Sequence, residues 1–93
     1  MIYDWIKKKI PCKNIVKERW NGDILIACSN DLELRYLNQT AAMFLILSDG
    51  KNSIDDIKQK FLERYEVDEK ELERDLIETA RNLQWQRMIV LEG

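Results

Sequence analysis

The residues that could carry out chemistry are few in this 93-residue chain, and none has a recognisable catalytic spacing. The chain has no histidine, the usual general base near neutral pH, and its three glycines lie too far apart to form a phosphate-cradling loop. The adjacent carboxylates Asp55 and Asp56 follow a capping serine, where a favourable interaction with the helix dipole explains them without catalysis. We therefore predict a protein that is not an enzyme and needs no cofactor.

The two cysteines, Cys12 and Cys28, are the other reactive side chains. Two thiols without any histidine fall short of the usual zinc ligand set, and two cysteines do not make a disulfide framework. We predict two small apolar side chains, buried or half-buried, and no metal site.

Length and composition indicate one globular domain. Hydrophobic residues make up 45% of the chain and charged residues 34%, a balance typical of a soluble protein with a single modest core. The apolar runs are far shorter than the roughly 20 residues that cross a bilayer, and the N-terminus lacks a secretory pattern. We therefore expect a cytoplasmic protein that does not enter a membrane.

The first half of the chain predicts a three-stranded antiparallel meander, with strands at 15–20, 24–28 and 32–37. Asn21-Gly22 separates the first two apolar runs and is a strong hairpin signal, because a type I′ turn needs positive φ at both central residues. In the third strand apolar and charged side chains alternate, as in a strand covered on one side. The core-facing set is Leu32, Leu34 and Tyr36, and the set off the core face is Glu33 and Arg35.

The second half predicts three short helices, each preceded by a capping residue. Asn38 or Thr40 can cap an apolar helix over 41–47, while Ser53 and Asp68 start the second and third helices. Apolar residues recur at helical spacing in both later helices: Ile54, Ile57, Phe61, Leu62 and Tyr65, then Leu72, Leu76, Ile77, Ala80 and Leu83. The final apolar run, 88–91, suits an extended tail packed against the bundle.

A three-stranded sheet followed by a three-helix bundle is an α+β, winged helix-turn-helix-like architecture, which commonly binds either DNA or protein. A DNA-binding transcription regulator needs lysines and arginines on a helix, because phosphate neutralisation supplies most of the affinity. The third helix instead carries seven acidic residues between 66 and 78 against two basic ones. Lysines also cluster within the first 17 residues, but without a groove-entering helix. DNA binding therefore stands as the alternative hypothesis.

An ordered set of short motifs resembles the PqqD-like family over residues 15–89. The motifs are Asn21-Gly22-Asp23, Tyr36-Leu37-Asn38-Gln39-Thr40-Ala41, Asp49-Gly50, Ser53-Ile54, and Tyr65-Glu66-Val67-Asp68. Two features depart from the family pattern: Gln39 stands where glutamate is more usual, and the link between the second and third strands lacks a glycine. The resemblance divides the chain into an N-terminal arm, residues 1–14, and a PqqD-like peptide-binding domain, residues 15–93.

The resemblance implies a non-catalytic recognition module for ribosomally synthesised precursor peptides. In such modules the leader peptide adds as an antiparallel strand beside the third strand and lies between that strand and the third helix. Strand addition is physically reasonable because an exposed edge offers unpaired N–H and C=O groups. The implied peptide-binding residues are Leu32, Glu33, Leu34, Arg35, Tyr36 and Leu37 on the strand, and Asp75, Leu76, Thr79, Ala80 and Leu83 on the helix.

The implied partners are a precursor leader peptide and a modifying enzyme, such as a radical SAM protein, in cofactor or natural-product biosynthesis. Neither nucleic acid nor membrane is expected as a partner. Arg35 or Arg81 could also pair with acidic side chains of a leader. A third hypothesis is a homodimer, because a second copy of the chain could satisfy the same strand edge or the segment around Trp5.

Overall fold

The computed structural model describes residues 2–92, which form two small antiparallel sheets and four helices. The strands are β1 (Ile10–Lys13), β2 (Ile15–Asn21), β3 (Ile24–Ser29), β4 (Leu34–Leu37) and β5 (Ile89–Glu92). The helices are α1 (Ile2–Ile6), α2 (Gln39–Leu47), α3 (Ile54–Arg64) and α4 (Glu69–Trp85). The predicted architecture is confirmed, because the three-stranded sheet β2-β3-β4 precedes α2, α3 and α4. No helix in this range is long and apolar enough to cross a membrane.

The three longer helices begin at caps that the sequence predicts. Asn38, rather than Thr40, caps α2, because its side-chain oxygen accepts a hydrogen bond from the Ala41 backbone N–H at 2.9 Å. Ser53 and Asp56 form a reciprocal capping box at the start of α3, and Asp68 caps α4. The cap at Asn38 leaves a single residue between β4 and α2, so the strand enters the helical part of the domain directly.

The first hairpin of the three-stranded sheet has a different turn from the one predicted. Asn21 pairs with Ile24, so the two-residue loop is Gly22-Asp23, and of these two residues only Gly22 has a positive φ, +64°. The prediction of a type I′ turn is therefore wrong. Positive φ at the first central residue alone is what a type II′ turn requires, with glycine at that position.

The second hairpin explains why the third strand is shorter than predicted. The Ser29 carbonyl accepts the Leu32 N–H at 2.9 Å, and the Ser29 N–H donates to the Glu33 carbonyl at 3.0 Å. This is the pattern of a three-residue loop whose last residue is left-handed, and Leu32 has a φ of 64°. The strand therefore starts at Leu34 instead of residue 32, and a leucine stands where the loop favours glycine.

One core lies between the inner face of the three-stranded sheet and the helices. The predicted helical stripes supply a large share of it: Ile54, Ile57 and Phe61 from α3, and Leu72, Leu76, Ala80 and Leu83 from α4 are buried. The sheet contributes Leu25, Ala27 and Leu37. Cys12 and Cys28 are unpaired and half-buried.

The chain ends form a second sheet that the sequence did not predict. The extended tail is confirmed as β5, but it pairs antiparallel with β1, with Pro11 opposite Leu91. Within the segment 1–14, which the sequence sets apart as an arm, α1 and β1 pack on the domain, and Tyr3 is buried in its core. Elements of four and five residues are too short to show a hydrophobic period.

A charged cluster attaches α1 to α3 and α4. The Tyr3 hydroxyl donates to Asp55 at 2.9 Å, and the buried Lys58 ammonium donates to Glu69 at 2.9 Å and to Glu73 at 3.1 Å. Burial, reinforced by the hydrogen bond to Asp55, raises the pKa of Tyr3. Burial alone would lower the pKa of Lys58, but the hydrogen bonds with Glu69 and Glu73 outweigh it and raise that pKa.

Candidate functional site

An open sheet edge lies beside the helices. β4 pairs with β3 along one side, and no other strand in the range 2–92 pairs with its second side. α4 packs against α2, which follows β4 directly, so the face of α4 lies opposite this edge. An edge of this kind presents unpaired N–H and C=O groups.

The register between β3 and β4 determines which backbone groups point outward. Ser29 and Glu33 lie opposite each other at the hairpin end and share a backbone hydrogen bond. Hydrogen-bonded and non-hydrogen-bonded pairs alternate along an antiparallel ladder. The backbone groups of Arg35 therefore point toward β3, whereas those of Leu34 and Tyr36 point to the open side. These two residues carry the donors and acceptors that an added strand would use.

A groove of about 370 Å³ separates the end of β4 from α4. Its lining comes from β4, the start of α2 and one face of α4: Tyr36, Leu37, Asn38, Thr40, Ala41, Asp75, Glu78, Thr79, Asn82, Leu83 and Gln86. The α4 members recur three or four residues apart, so they form one continuous helical face. The groove thus has a polar backbone edge on one side and a side-chain wall on the other.

Five of the predicted binding residues line this groove, and two belong elsewhere on α4. Tyr36, Leu37, Asp75, Thr79 and Leu83 are in the lining. The remaining α4 predictions, Leu76 and Ala80, are core residues with exposures of 0% and 1%. A helix that forms one wall of a groove also turns a second face to the core, and the sequence pattern does not separate the two faces where they meet.

The other strand predictions lie outside the groove. Leu32 ends the hairpin loop, Glu33 pairs with Ser29 just before β4, and Leu34 and Arg35 are in β4, but none of the four lines the cavity. The Arg35 guanidinium reaches Glu33 at 2.7 Å instead of extending toward α4's lining residues. For Leu34 only the backbone faces the open edge.

The two faces of β4 are the reverse of those predicted. Leu34 and Tyr36 are 59% and 68% exposed, whereas Leu37 is buried and Arg35 is half-buried on the core side. The register imposes this, because Leu37 lies opposite buried Leu25. The alternation of apolar and charged residues misled the prediction, since Arg35 can place its aliphatic stem over the core while its charged end reaches the surface.

The outer face of the sheet is consequently rich in apolar side chains. Leu34 and Tyr36 lie opposite Cys28 and Ile26 on β3, and Ile24 is also exposed. The solvated face of an antiparallel sheet is usually polar.

Six groove residues were not predicted from the sequence: Asn38, Thr40, Ala41, Glu78, Asn82 and Gln86. Glu78 and Asn82 on α4, and Gln86 at its C-terminal cap, follow from helical spacing, because they lie three or seven residues beyond predicted Asp75 and Thr79. The three at the start of α2 depend on the tight junction at Asn38, which only the folded chain reveals. The Gln86 side-chain oxygen is buried and has no hydrogen-bond partner among the described residues.

A second, more enclosed pocket of about 280 Å³ adjoins the groove at Thr40 and Asp75, which line both. Its apolar walls come from the end of α3, the following turn and the start of α4: Phe61, Tyr65, Val67 and Leu72. The rings of Phe61 and Tyr65 lie with centroids 5.9 Å apart. A long apolar side chain fits such a pocket.

Comparison with known proteins identifies a family. The family model described as Coenzyme PQQ synthesis protein D (PqqD) matches residues 32–89, a range that contains β4 and all of α2, α3 and α4. Both walls of the groove therefore lie within the matched part. No curated protein and no solved structure matches the chain.

Proposed function

Because this chain belongs to the PqqD family, whose role relates to coenzyme PQQ biosynthesis and peptide binding, we propose that it holds the leader of a ribosomally synthesised precursor peptide. A separate enzyme, such as one of the radical SAM class, then modifies the precursor while the leader stays bound. The protein itself contributes no catalytic group in this proposal and acts in the cytoplasm.

The observation that carries the proposal is the open edge of β4 beside the α4 groove. A leader in extended conformation can exchange main-chain hydrogen bonds with Leu34 and Tyr36 while its alternate side chains enter the groove. Main-chain pairing provides affinity that depends little on sequence, and the groove provides selection. The buried oxygen of Gln86 is an acceptor that a bound peptide N–H can satisfy.

The outer face of the sheet supports the second half of the proposal, the presentation to an enzyme. A peptide between β4 and α4 leaves Ile24 and Leu34 exposed on the other side of the sheet, with half-buried Ile26 between them. Contiguous exposed apolar side chains mark protein interaction surfaces. We assign this face to the modifying enzyme, which would then contact the module without displacing the leader.

DNA is a poorer ligand for the same surface. The groove lining includes Asp75 and Glu78, and none of its members within residues 2–92 is basic. Phosphates need cations for affinity, so the α4 face that a winged-helix regulator would insert into DNA has the wrong charge here.

The proposal is tested by titration calorimetry with a synthetic leader, taken from a short precursor reading frame beside the gene for this protein. We expect submicromolar affinity, about −8 kcal/mol or better. A scrambled peptide of the same composition is the matched control. The companion enzyme should modify the precursor faster when this protein is added. Tight binding to duplex DNA at physiological salt, with no detectable binding of the leader, would refute the proposal.

A further inference from the structure

The groove-facing carboxylates of α4 have no cationic partner in the described part of the chain. Glu71, Asp75 and Glu78 line the groove or the adjoining pocket, and neither cavity has a lysine or arginine in its lining within residues 2–92. The carboxylates on another face of the same helix differ, because Glu69 and Glu73 bind Lys58. The negative charge of α4 is therefore partly compensated by Lys58 on one side and left uncompensated on the groove side.

The spacing of these carboxylates matches an extended chain. Glu71 and Asp75 are four residues apart, about 6 Å along a helix, and Asp75 and Glu78 are three apart, about 4.5 Å. Side chains on one face of an extended peptide repeat every 6.6–6.8 Å or so. Two alternate side chains of a peptide in the groove can thus each meet a different carboxylate.

We propose that the groove selects extended peptides that carry lysine or arginine at alternate positions, on the side that faces α4. This inference rests on the proposed peptide-binding function and specifies the chemical class of its ligand. A peptide with acidic residues at those positions would place carboxylates beside Asp75 and Glu78 and be repelled. Charge complementarity across the groove also predicts that the affinity falls as salt is added, because exposed charges are screened.

The first experiment is selection of a displayed library of random 12-residue peptides on the immobilised full chain. We expect the retained sequences to have an excess of lysine and arginine at positions two residues apart. Retained sequences without such an excess would overturn the charge preference and leave peptide binding standing. If no sequence is retained above background, the peptide-binding function itself is overturned, so the two failures are distinguishable.

The second experiment uses the best retained peptide and two synthetic versions in which glutamine or glutamate replaces its basic residues. Glu78→Gln should weaken binding of the basic peptide about two- to fivefold, the range expected for loss of one exposed ion pair. Glu63→Gln is the matched control, because Glu63 is exposed on α3 and lines neither cavity. The affinity of this variant for the basic peptide should equal that of the wild type.

A charge reversal separates recognition from a general electrostatic effect. Glu78→Lys should bind the glutamate peptide better than the wild type does and the basic peptide worse, while Glu63→Lys leaves the order of affinities unchanged. The same order of affinities in Glu78→Lys as in the wild type would overturn the inference. Circular dichroism melts of each variant show that the fold is retained.

Discussion

Proline substitution along β4 tests strand addition most directly, because the register separates outward-facing from inward-facing N–H groups. Leu34 points its N–H to the open edge, and Arg35 points its N–H toward β3. Proline removes that donor and is tolerated on an edge strand only where the N–H faces outward. Arg35→Pro should therefore impair folding, whereas Leu34→Pro should impair peptide binding.

Arg35→Pro should be strongly destabilising. It removes one ladder hydrogen bond, worth about 1 kcal/mol, and leaves the carbonyl of fully buried Ala27 unpaired, at a cost of about 1–3 kcal/mol. The total of about 2–4 kcal/mol corresponds to a fall in the melting temperature of more than about 8 °C for a domain of this size. Thermal unfolding followed by circular dichroism measures this loss.

Leu34→Pro should keep most of the stability but bind the leader poorly. Its side chain is 59% exposed, so little packing is lost. One main-chain hydrogen bond to the peptide is lost, about 0.5–1.5 kcal/mol, which weakens binding roughly two- to tenfold, and the proline ring also obstructs the incoming strand. Leu34→Ala is the control for the side chain and should bind normally. A folded Leu34→Pro variant with unchanged leader affinity would show that the peptide does not add to this edge.

Three further predictions concern stability. Phe61→Ala should cost about 3–5 kcal/mol, because Phe61 is only 4% exposed and its removal leaves a cavity; a melting temperature near that of the wild type would contradict its place in the core. Leu32→Gly should raise the free energy of unfolding in urea by about 0.5–1 kcal/mol, since Leu32 has a φ of 64° and is 75% exposed; a loss of stability would mean that its side chain matters more than its backbone. The pKa values of Tyr3 and Lys58 are raised above their ordinary values of 10.0 and 10.5, so the stability they contribute is complete below about pH 10 and is lost as the pH rises further. Melting temperatures from pH 8 to 12 should fall more steeply in the wild type than in Tyr3→Phe, and equal slopes would refute this assignment.

The predictable part of the fold follows from local rules. The caps at Ser53 and Asp68 fix where α3 and α4 begin, because a side chain there satisfies backbone N–H groups that the helix leaves free. The helical spacing of the apolar residues fixes which faces are buried, since burial of that stripe is the main stabilising term. These signals involve residues a few positions apart, and a sequence displays them directly.

The faces of β4 could not be obtained in this way. Leu34 and Tyr36 look like core residues in the sequence, and Arg35 looks like a solvent-exposed residue. Strand pairing decides otherwise, because a shift of one residue exchanges the two faces, and the left-handed loop ending at Leu32 sets that register. The third strand therefore begins two residues later than its apolar pattern indicates.

By itself, then, the sequence determined the kind of domain, the order of the elements after residue 15, the buried stripes of α3 and α4 and the resemblance to a peptide-binding family. The tertiary structure decided which residues of β4 and α4 face each other, how the start of α2 completes the groove, and how residues 2–13 join the domain. Those features depend on contacts between segments far apart in the chain. Strand register and close packing fix such contacts, and neither has a periodic signature in a single segment.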